Sequence, residues 1–141
     1  MKRLAVLLLV LGMNQAFAGS SKLPDSNASN TAKWKAECGS CHVAYPPRLL
    51  SADSWQRLMG NLNRHFGANA VLDSKDNKRI LGFLERNAGS DGLYSSASMR
   101  ISETPWFKRE HRLISPKEWA QPDVKSPSNC SACHGRTVLG D

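Results

Sequence analysis

All four cysteines of the chain lie in two short motifs of the same form. The first is Cys38-Gly39-Ser40-Cys41-His42, and the second is Cys130-Ser131-Ala132-Cys133-His134. In a C-x-x-C-H motif each thiol can form a thioether with a haem vinyl group, and the following imidazole can bind the iron. Two such motifs predict two covalently bound haem c groups. The predicted attachment residues are Cys38, Cys41, Cys130 and Cys133, and the predicted iron ligands within the motifs are His42 and His134.

Three other uses of paired cysteines explain the sequence less well. Two disulfides would leave the histidine after each pair unexplained. The pairs of a Cys₄ zinc site are usually separated by about 15 to 20 residues, whereas these pairs are much farther apart. A thioredoxin-like redox motif would need one C-x-x-C within a βαβ pattern, which the sequence lacks. Haem attachment is therefore the favoured interpretation.

The chain has two further histidines, His65 and His111, which are candidates for the second axial position of each iron. His65 follows His42 by the same number of residues as His111 precedes His134. This symmetry favours the pairs His42 with His65 and His134 with His111. Loop-closure entropy disfavours the crossed arrangement, in which His42 meets His111, by only about 1 kcal/mol.

Methionine is the main competitor for a distal position, because Met/His ligation is common in cytochromes c and raises the haem potential. Beyond residue 18 the chain has only Met59 and Met99. Met59 lies in an apolar stripe that would bury it in any case, so histidine is favoured at both irons.

Helices are expected to position these side chains. The first predicted helix begins near Thr31, ends at Tyr45-Pro46-Pro47 and places Trp34 and both thiols of the first motif on one face. A backbone carbonyl near the prolines would hold the Nδ1–H of His42. Alternatively, the prolines only end the helix and begin an extended segment.

Two more helices complete the predicted first half. Ser51 is the expected N-cap of the second, and Gly67 suits the position just after its end. Its apolar stripe comprises Trp55, Leu58, Met59, Leu62, His65 and Phe66, which places His65 on the buried face. The third begins near Ser74 and has Ile80, Leu81, Phe83 and Leu84 on its apolar side. Residues 88–92, which are rich in Gly and Ser, predict a boundary that divides the chain into two haem-binding halves, residues 31–90 and residues 91–141.

In the second half the sequence patterns that predict helices are shorter. Ser102 is a candidate cap for a helix through Trp106, Phe107 and His111. Ser115-Pro116-Lys117-Glu118 has the cap, first-turn proline and glutamate of another short helix, and Ser126-Pro127 precedes the turn of the second motif. Strand signals are weak throughout. The predicted fold class is therefore mostly α, a small helical c-type cytochrome with two haem-binding halves and extensive loop.

The N-terminal residues have the pattern of a signal peptide. Lys2 and Arg3 precede an apolar stretch over residues 4–11, and Ala16-Phe17-Ala18 suits cleavage after residue 18. Residues 19–30 are rich in Ser and Asn and predict a flexible tether. The alternative, an uncleaved anchor, is disfavoured because the apolar stretch is short. We expect a periplasmic protein with no stable membrane insertion. We also expect no nucleic-acid binding, because the haem propionates offset part of the formal net charge of +7.

The sequence resembles the dihaem cytochrome c family of small periplasmic electron carriers. The resemblance rests on residues 37–42, 44–47, 54–67, 100–105, 109–112 and 124–130, and it extends over most of the chain beyond the leader. It implies bis-histidine ligation at both haems, with His65 and His111 as the distal ligands. It also implies redox protein partners, either a small oxygen-binding c-type haem protein or a membrane b-type cytochrome.

Two functions fit these features. If all four histidines bind iron, no open site remains for a substrate, and the protein transfers electrons without catalysing a reaction of its own. A dihaem enzyme of the peroxidase or reductase type, or a gas-binding haem protein, would need a labile distal ligand. Basic residues near the second motif could steer an acidic partner, although they could equally be a solvated face. They are Arg109, Arg112, Lys117, Lys125 and Arg136.

Overall fold

The computed structural model describes residues 26–135, and its regular structure is helical. The helices are α1 (Ser26–Cys38), α2 (Ala52–Met59), α3 (Ser74–Arg86), α4 (Pro105–Glu110) and α5 (Pro116–Trp119). Short 3₁₀ turns lie at Pro47–Leu49, Leu62–Arg64, Ile101–Glu103 and Cys130–Ala132. Between residues 26 and 135 the only β pairing is isolated bridges, so the predicted helical class is confirmed. The predicted leader, residues 19–25 of the tether and Arg136 lie outside the described residues.

Helices α1, α2 and α3 pack around one apolar core. The Trp34 ring of α1 contacts the Phe83 ring of α3 with centroids 5.4 Å apart. The buried members of this core are Trp34, Leu50, Trp55, Leu58, Met59, Leu62, Ile80, Phe83 and Leu84. All of them belong to the first half of the chain, so this half contains most of the apolar burial that stabilises the fold, to which Phe107 and Val124 of the second half add two further buried side chains.

Helix α1 begins five residues earlier than the predicted start at Thr31. Its additional turn is held against α3, where Arg79 donates hydrogen bonds to the side chains of Asn30, at 2.6 Å, and Ser29. Lys33 forms an ion pair with Asp76 of α3 at 2.5 Å. These contacts explain why residues 26–30, predicted as the end of a tether, are helical.

The second predicted helix is correct at its start and wrong at its end. The Ser51 hydroxyl accepts a hydrogen bond from the Ser54 amide, as expected of an N-cap. The helix ends at Met59, whose carbonyl accepts a hydrogen bond from the Asn77 side chain of α3 at 3.1 Å. The chain then turns at Phe66 and Gly67, with φ of 50° and 100°, and a right-handed helix cannot include such backbone.

Thr104, rather than Ser102, caps α4. The fully buried Thr104 hydroxyl accepts a hydrogen bond from the Phe107 amide, and Pro105 occupies the first helical position. Helix α5 has the predicted capping box, because the Ser115 and Glu118 side chains each bond the other residue's backbone amide. Both short helices are therefore specified by local capping.

The chain returns to the first half after the predicted boundary at residue 90. The Gly89 amide donates to the Leu50 carbonyl and the Ser51 amide to the Tyr94 carbonyl, each at 2.9 Å. Met99 and Ile101 then pack against the α1–α3 core. Among the described residues no helix has the length and apolar character needed to cross a membrane.

Candidate haem sites

The first C-x-x-C-H motif lies at the C-terminal end of α1. Cys38 is the last helical residue and packs half-buried against the core, whereas Cys41 lies beyond the helix and is exposed. The predicted helical face shared by Trp34 and both thiols is therefore wrong for Cys41. Gly39 makes the turn possible, because a Cβ there would lie 2.3 Å from the Lys35 carbonyl oxygen. The motif residues after Cys38 consequently leave the helix.

The second motif is built on a 3₁₀ turn. Cys130 begins the turn, and its carbonyl accepts hydrogen bonds from the amides of Cys133 at 3.3 Å and His134 at 2.9 Å. Cys130 is half-buried and Cys133 is exposed. The two motifs thus share one pattern, in which the first thiol faces the protein and the second faces outward, although different local structures hold them.

The cysteine environments argue against the alternatives to haem attachment. No disulfide joins any two of the four cysteines, and within residues 26–135 no three His, Cys, Asp or Glu side chains form a cluster that could hold a metal ion. Burial, with a smaller effect of the Glu37 charge, raises the pKa of the Cys38 thiol to about 11. A buried thiol with a raised pKa is a poor nucleophile, so this environment does not favour a redox role for Cys38.

The four histidines meet in two pairs. The ring centroids of His42 and His65 are 6.1 Å apart, and those of His111 and His134 are 6.0 Å apart. Two imidazoles on opposite sides of one metal atom have ring centres separated by about 6 Å, since each metal–nitrogen bond is about 2 Å and each ring centre lies about 1 Å beyond its nitrogen. Both pairs therefore have the separation that suits an iron atom between the rings. The structure does not bring together the crossed pair His42 and His111.

Backbone carbonyls orient one histidine of each pair. The Nδ1 of His42 lies 2.7 Å from the Val43 carbonyl oxygen, and the Nδ1 of His111 lies 2.9 Å from that of Phe107. A carbonyl can only accept, so each Nδ1 bears the proton and each Nε2 has the free lone pair that a metal ligand needs. The sequence predicted that a carbonyl near the prolines would accept the hydrogen bond from His42. The acceptor is instead the carbonyl of Val43, the residue that follows His42.

His65 is half-buried in the turn after the Leu62–Arg64 segment rather than on the buried face of a helix. Burial lowers the pKa of His65, and the neighbouring His42 lowers it further. The ring is therefore neutral at neutral pH, which is the form that binds iron.

Aromatic rings pack on two of the histidines, and neither contact was predicted from the sequence. The Tyr45 ring lies 4.8 Å from His42 at an interplanar angle of 23°, and the Phe107 ring lies 4.0 Å from His111 at 17°. Phe107 precedes His111 by four residues, a helical spacing that could have indicated the contact. Each ring covers an imidazole face and restricts its rotation.

Tyr45 also reaches the second motif. Its hydroxyl donates a hydrogen bond of 2.6 Å to the carbonyl of Ser128, two residues before Cys130. Burial, with a smaller contribution from Cys130, raises the pKa of Tyr45 to about 12, so the phenol remains protonated and able to donate. No local sequence signal indicates a contact across 83 residues.

The two histidine pairs differ in the orientation of their rings. The planes of His42 and His65 are nearly parallel, at 20°, whereas those of His111 and His134 are nearly perpendicular, at 86°. The motifs are alike in sequence form, so this difference arises from the elements around them. The two candidate sites are therefore structurally distinct.

The space around the first pair is open on the His42 side and tight on the His65 side. A cavity of about 240 Å³ is lined by Lys35, Gly39, His42, Val43 and Ala44. A space of about 20 Å³ beside His65 is lined by Leu58, Asn61, Arg64, Phe66 and Met99. Met59 is part of the apolar core, as its sequence position predicted, and does not line either space.

Together, the helical fold, the two C-x-x-C-H motifs and the two histidine pairs define a c-type cytochrome with two haem sites. The model of the family "Dihaem cytochrome c" matches residues 34–140, and the chain belongs to this family. It is a dihaem electron carrier with two covalently bound haem c groups.

Solved structures support this assignment. The chain is 42% identical to a dihaem cytochrome c purified from Rhodobacter sphaeroides, with a TM-score of 0.64, covering 73% of this chain and 88% of that one. A diheme cytochrome c from Shewanella baltica OS155 is 40% identical, with a TM-score of 0.66, covering 74% and 80%. Another Rhodobacter sphaeroides structure is 39% identical, with a TM-score of 0.67, covering 77% and 94%. No match was found among curated protein sequences.

Proposed function

We propose that this protein is a periplasmic electron relay in which each haem iron has two histidine ligands and the protein catalyses no reaction of its own. His42 and His65 bind one iron, and His134 and His111 bind the other. The observation that supports this most strongly is the separation of the ring centroids, 6.1 Å and 6.0 Å in the two pairs. When bound, each haem supplies one-electron chemistry at its iron.

The chain's residues have distinct parts in this proposal. Cys38 and Cys41 hold one haem through thioethers, and Cys130 and Cys133 hold the other. The carbonyls of Val43 and Phe107 keep the proton of His42 and of His111 on Nδ1, so that Nε2 binds the iron. With both axial positions filled, a substrate or gas molecule has no iron site to bind.

Export supports the periplasmic part of the proposal. Haem attached through thioethers is assembled after translocation in proteins that use the C-x-x-C-H motif, and residues 1–18 have the composition of a cleavable leader. N-terminal sequencing of the protein isolated from the periplasmic fraction tests this directly, and a chain that begins at Gly19 is expected.

The axial ligands are tested by spectroscopy of the full protein. We expect two low-spin ferric haems by EPR and visible absorption, and no rapid binding of carbon monoxide after reduction, because both sixth positions are occupied. A dihaem enzyme or gas-binding protein would instead show high-spin iron, or bind one carbon monoxide per labile site. Either result would reject the relay, as would turnover of peroxide or nitrite.

The partner is proposed to be an acidic redox protein that binds briefly beside the second haem site. Arg109 and Arg112 are exposed at the C-terminal end of α4, on either side of Glu110 and His111. Lys117 and Lys125 are also exposed and lie between this helix and the second motif. Encounters between redox proteins usually bury less than about 1,200 Å², so long-range attraction rather than a large interface would bring the partners together.

Electron transfer to an acidic partner should slow as ionic strength rises, because exposed charges are screened within about 10 Å at 0.1 M salt. The double variant Arg109→Gln/Arg112→Gln should lower the low-salt rate by about tenfold, the lower end of the range for electrostatic steering. Stopped-flow measurement at several salt concentrations provides the rates. The matched control is Lys75→Gln/Lys78→Gln on the exposed side of α3, which should change them little. A rate independent of salt would reject steering.

A further inference from the structure

The side chain of Tyr45 contacts both haem-binding segments. Its ring packs on the face of the His42 imidazole, with centroids 4.8 Å apart and planes at 23°. Its hydroxyl donates a 2.6 Å hydrogen bond to the carbonyl of Ser128, just before the second motif. One side chain thus links a ligand candidate of the first site to the backbone that positions the second.

The second motif segment, residues 126–134, otherwise forms hydrogen bonds mainly with its neighbours in sequence. The Asn129 side chain donates to the carbonyls of Asp123 and Val124, and the Ser126 and Ser128 hydroxyls bond to one another. Its 3₁₀ turn is only three residues long, and the buried members of the α1–α3 core do not include any residue of this segment. A segment with so little apolar burial depends on individual polar contacts for its placement.

We propose that Tyr45 is a positioning residue that fixes the second haem-binding segment relative to the first and thereby controls the rate of electron exchange between the two haem sites. The role rests on the proposed relay function. The exchange moves one electron, so that one iron is oxidised from ferrous to ferric while the other is reduced, and no other reactant is needed. Its rate falls steeply with distance between the sites, so a loosely held segment slows it.

The two contacts of Tyr45 have separate consequences. The hydroxyl tethers residues 126–134, whereas the ring restricts rotation of the His42 imidazole. The EPR g values of a low-spin ferric haem with two imidazole ligands depend on the angle between the ligand planes, which is 20° for His42 and His65. Loss of the ring should therefore change the EPR signal of the first haem, and loss of the hydroxyl alone should not.

The variant Tyr45→Phe removes the hydroxyl and keeps the ring. Loss of one hydrogen bond should increase amide hydrogen exchange in residues 126–134 by about fivefold. It should also slow the exchange of electrons between the haems severalfold, as measured from the haem methyl line shapes of half-reduced protein by NMR. Both EPR signals should remain unchanged. Tyr45→Leu should show the same two effects and, in addition, an altered EPR signal for the first haem only.

The matched control is Tyr94→Phe, which makes the same chemical change at the other tyrosine of the chain. Tyr94 stacks on Trp106, with centroids 5.5 Å apart, and its ring does not contact the histidine pairs. This variant should leave the exchange rates and both EPR signals as in the natural protein.

The outcomes separate the two proposals. If Tyr45→Phe leaves hydrogen exchange in residues 126–134 and electron exchange unchanged while both haems remain low-spin, the role of Tyr45 is overturned and the relay stands. If the natural protein shows a high-spin haem that binds carbon monoxide, the relay is overturned whatever the tyrosine variants show. If its haems exchange no electrons, both proposals are overturned.

Discussion

Replacement of His65 with Met should raise the reduction potential of one haem by an amount on the order of 0.1 V and leave the other nearly unchanged. A thioether stabilises ferrous iron more than imidazole does, and axial ligands tune haem potentials over about 0.8 V. The effect should be confined to the haem attached at the first motif, because His65 lies opposite His42 at 6.1 Å. A spectroelectrochemical titration that resolves two one-electron steps measures both potentials.

The matched variant is His111→Met, which should shift the other haem, since His111 pairs with His134. EPR identifies the altered haem in each variant, because the ring planes are nearly parallel in one pair and nearly perpendicular in the other. If the introduced methionine does not bind iron, one haem becomes high-spin. The identity of that haem then shows which iron the replaced histidine had bound. Shifts of similar size in both haems, or in neither, would contradict the pairing.

The double variant Cys130→Ser/Cys133→Ser should lower the number of covalently bound haems from two to one and preserve the helical core. Serine cannot form the thioether, and the core lies between Trp34 and Leu84, outside the second motif. Pyridine haemochrome analysis of the denatured protein counts the retained haem. Far-UV circular dichroism should show that most helical signal persists, because α1, α2 and α3 do not need the second haem to bury their apolar faces.

The corresponding variant of the first motif, Cys38→Ser/Cys41→Ser, should also retain one haem but unfold at a lower urea concentration. Cys38 packs against the core at the end of α1, so a polar substitution and loss of the adjacent haem both affect residues that stabilise the fold. Equal urea midpoints for the two double variants would show that the halves contribute equally. Loss of both haems from the Cys130/Cys133 variant would show that the first half cannot hold its haem alone.

Features with short-range physical signals were predictable from the amino-acid sequence. The C-x-x-C-H motifs indicated haem because their chemistry needs only neighbouring residues, and this cofactor is confirmed by the family assignment. Helix α3 and the α5 capping box were predictable because periodicity and caps act within a few residues. The pairing of histidines was suggested by equal spacing, but loop-closure entropy distinguished it only weakly from the crossed arrangement.

Contacts between distant segments determined the rest. Helix α2 ends at Met59, where Asn77 of α3 donates to the terminal carbonyl, and the backbone leaves helical geometry at Asn61, with φ of −134° and ψ of 34°, so His65 lies in a turn. The ring angles of 20° and 86°, and the hydrogen bond from Tyr45 to Ser128, have no counterpart in local sequence. Periodicity and capping act over a few residues, whereas these features depend on how loops place segments that are far apart in the chain.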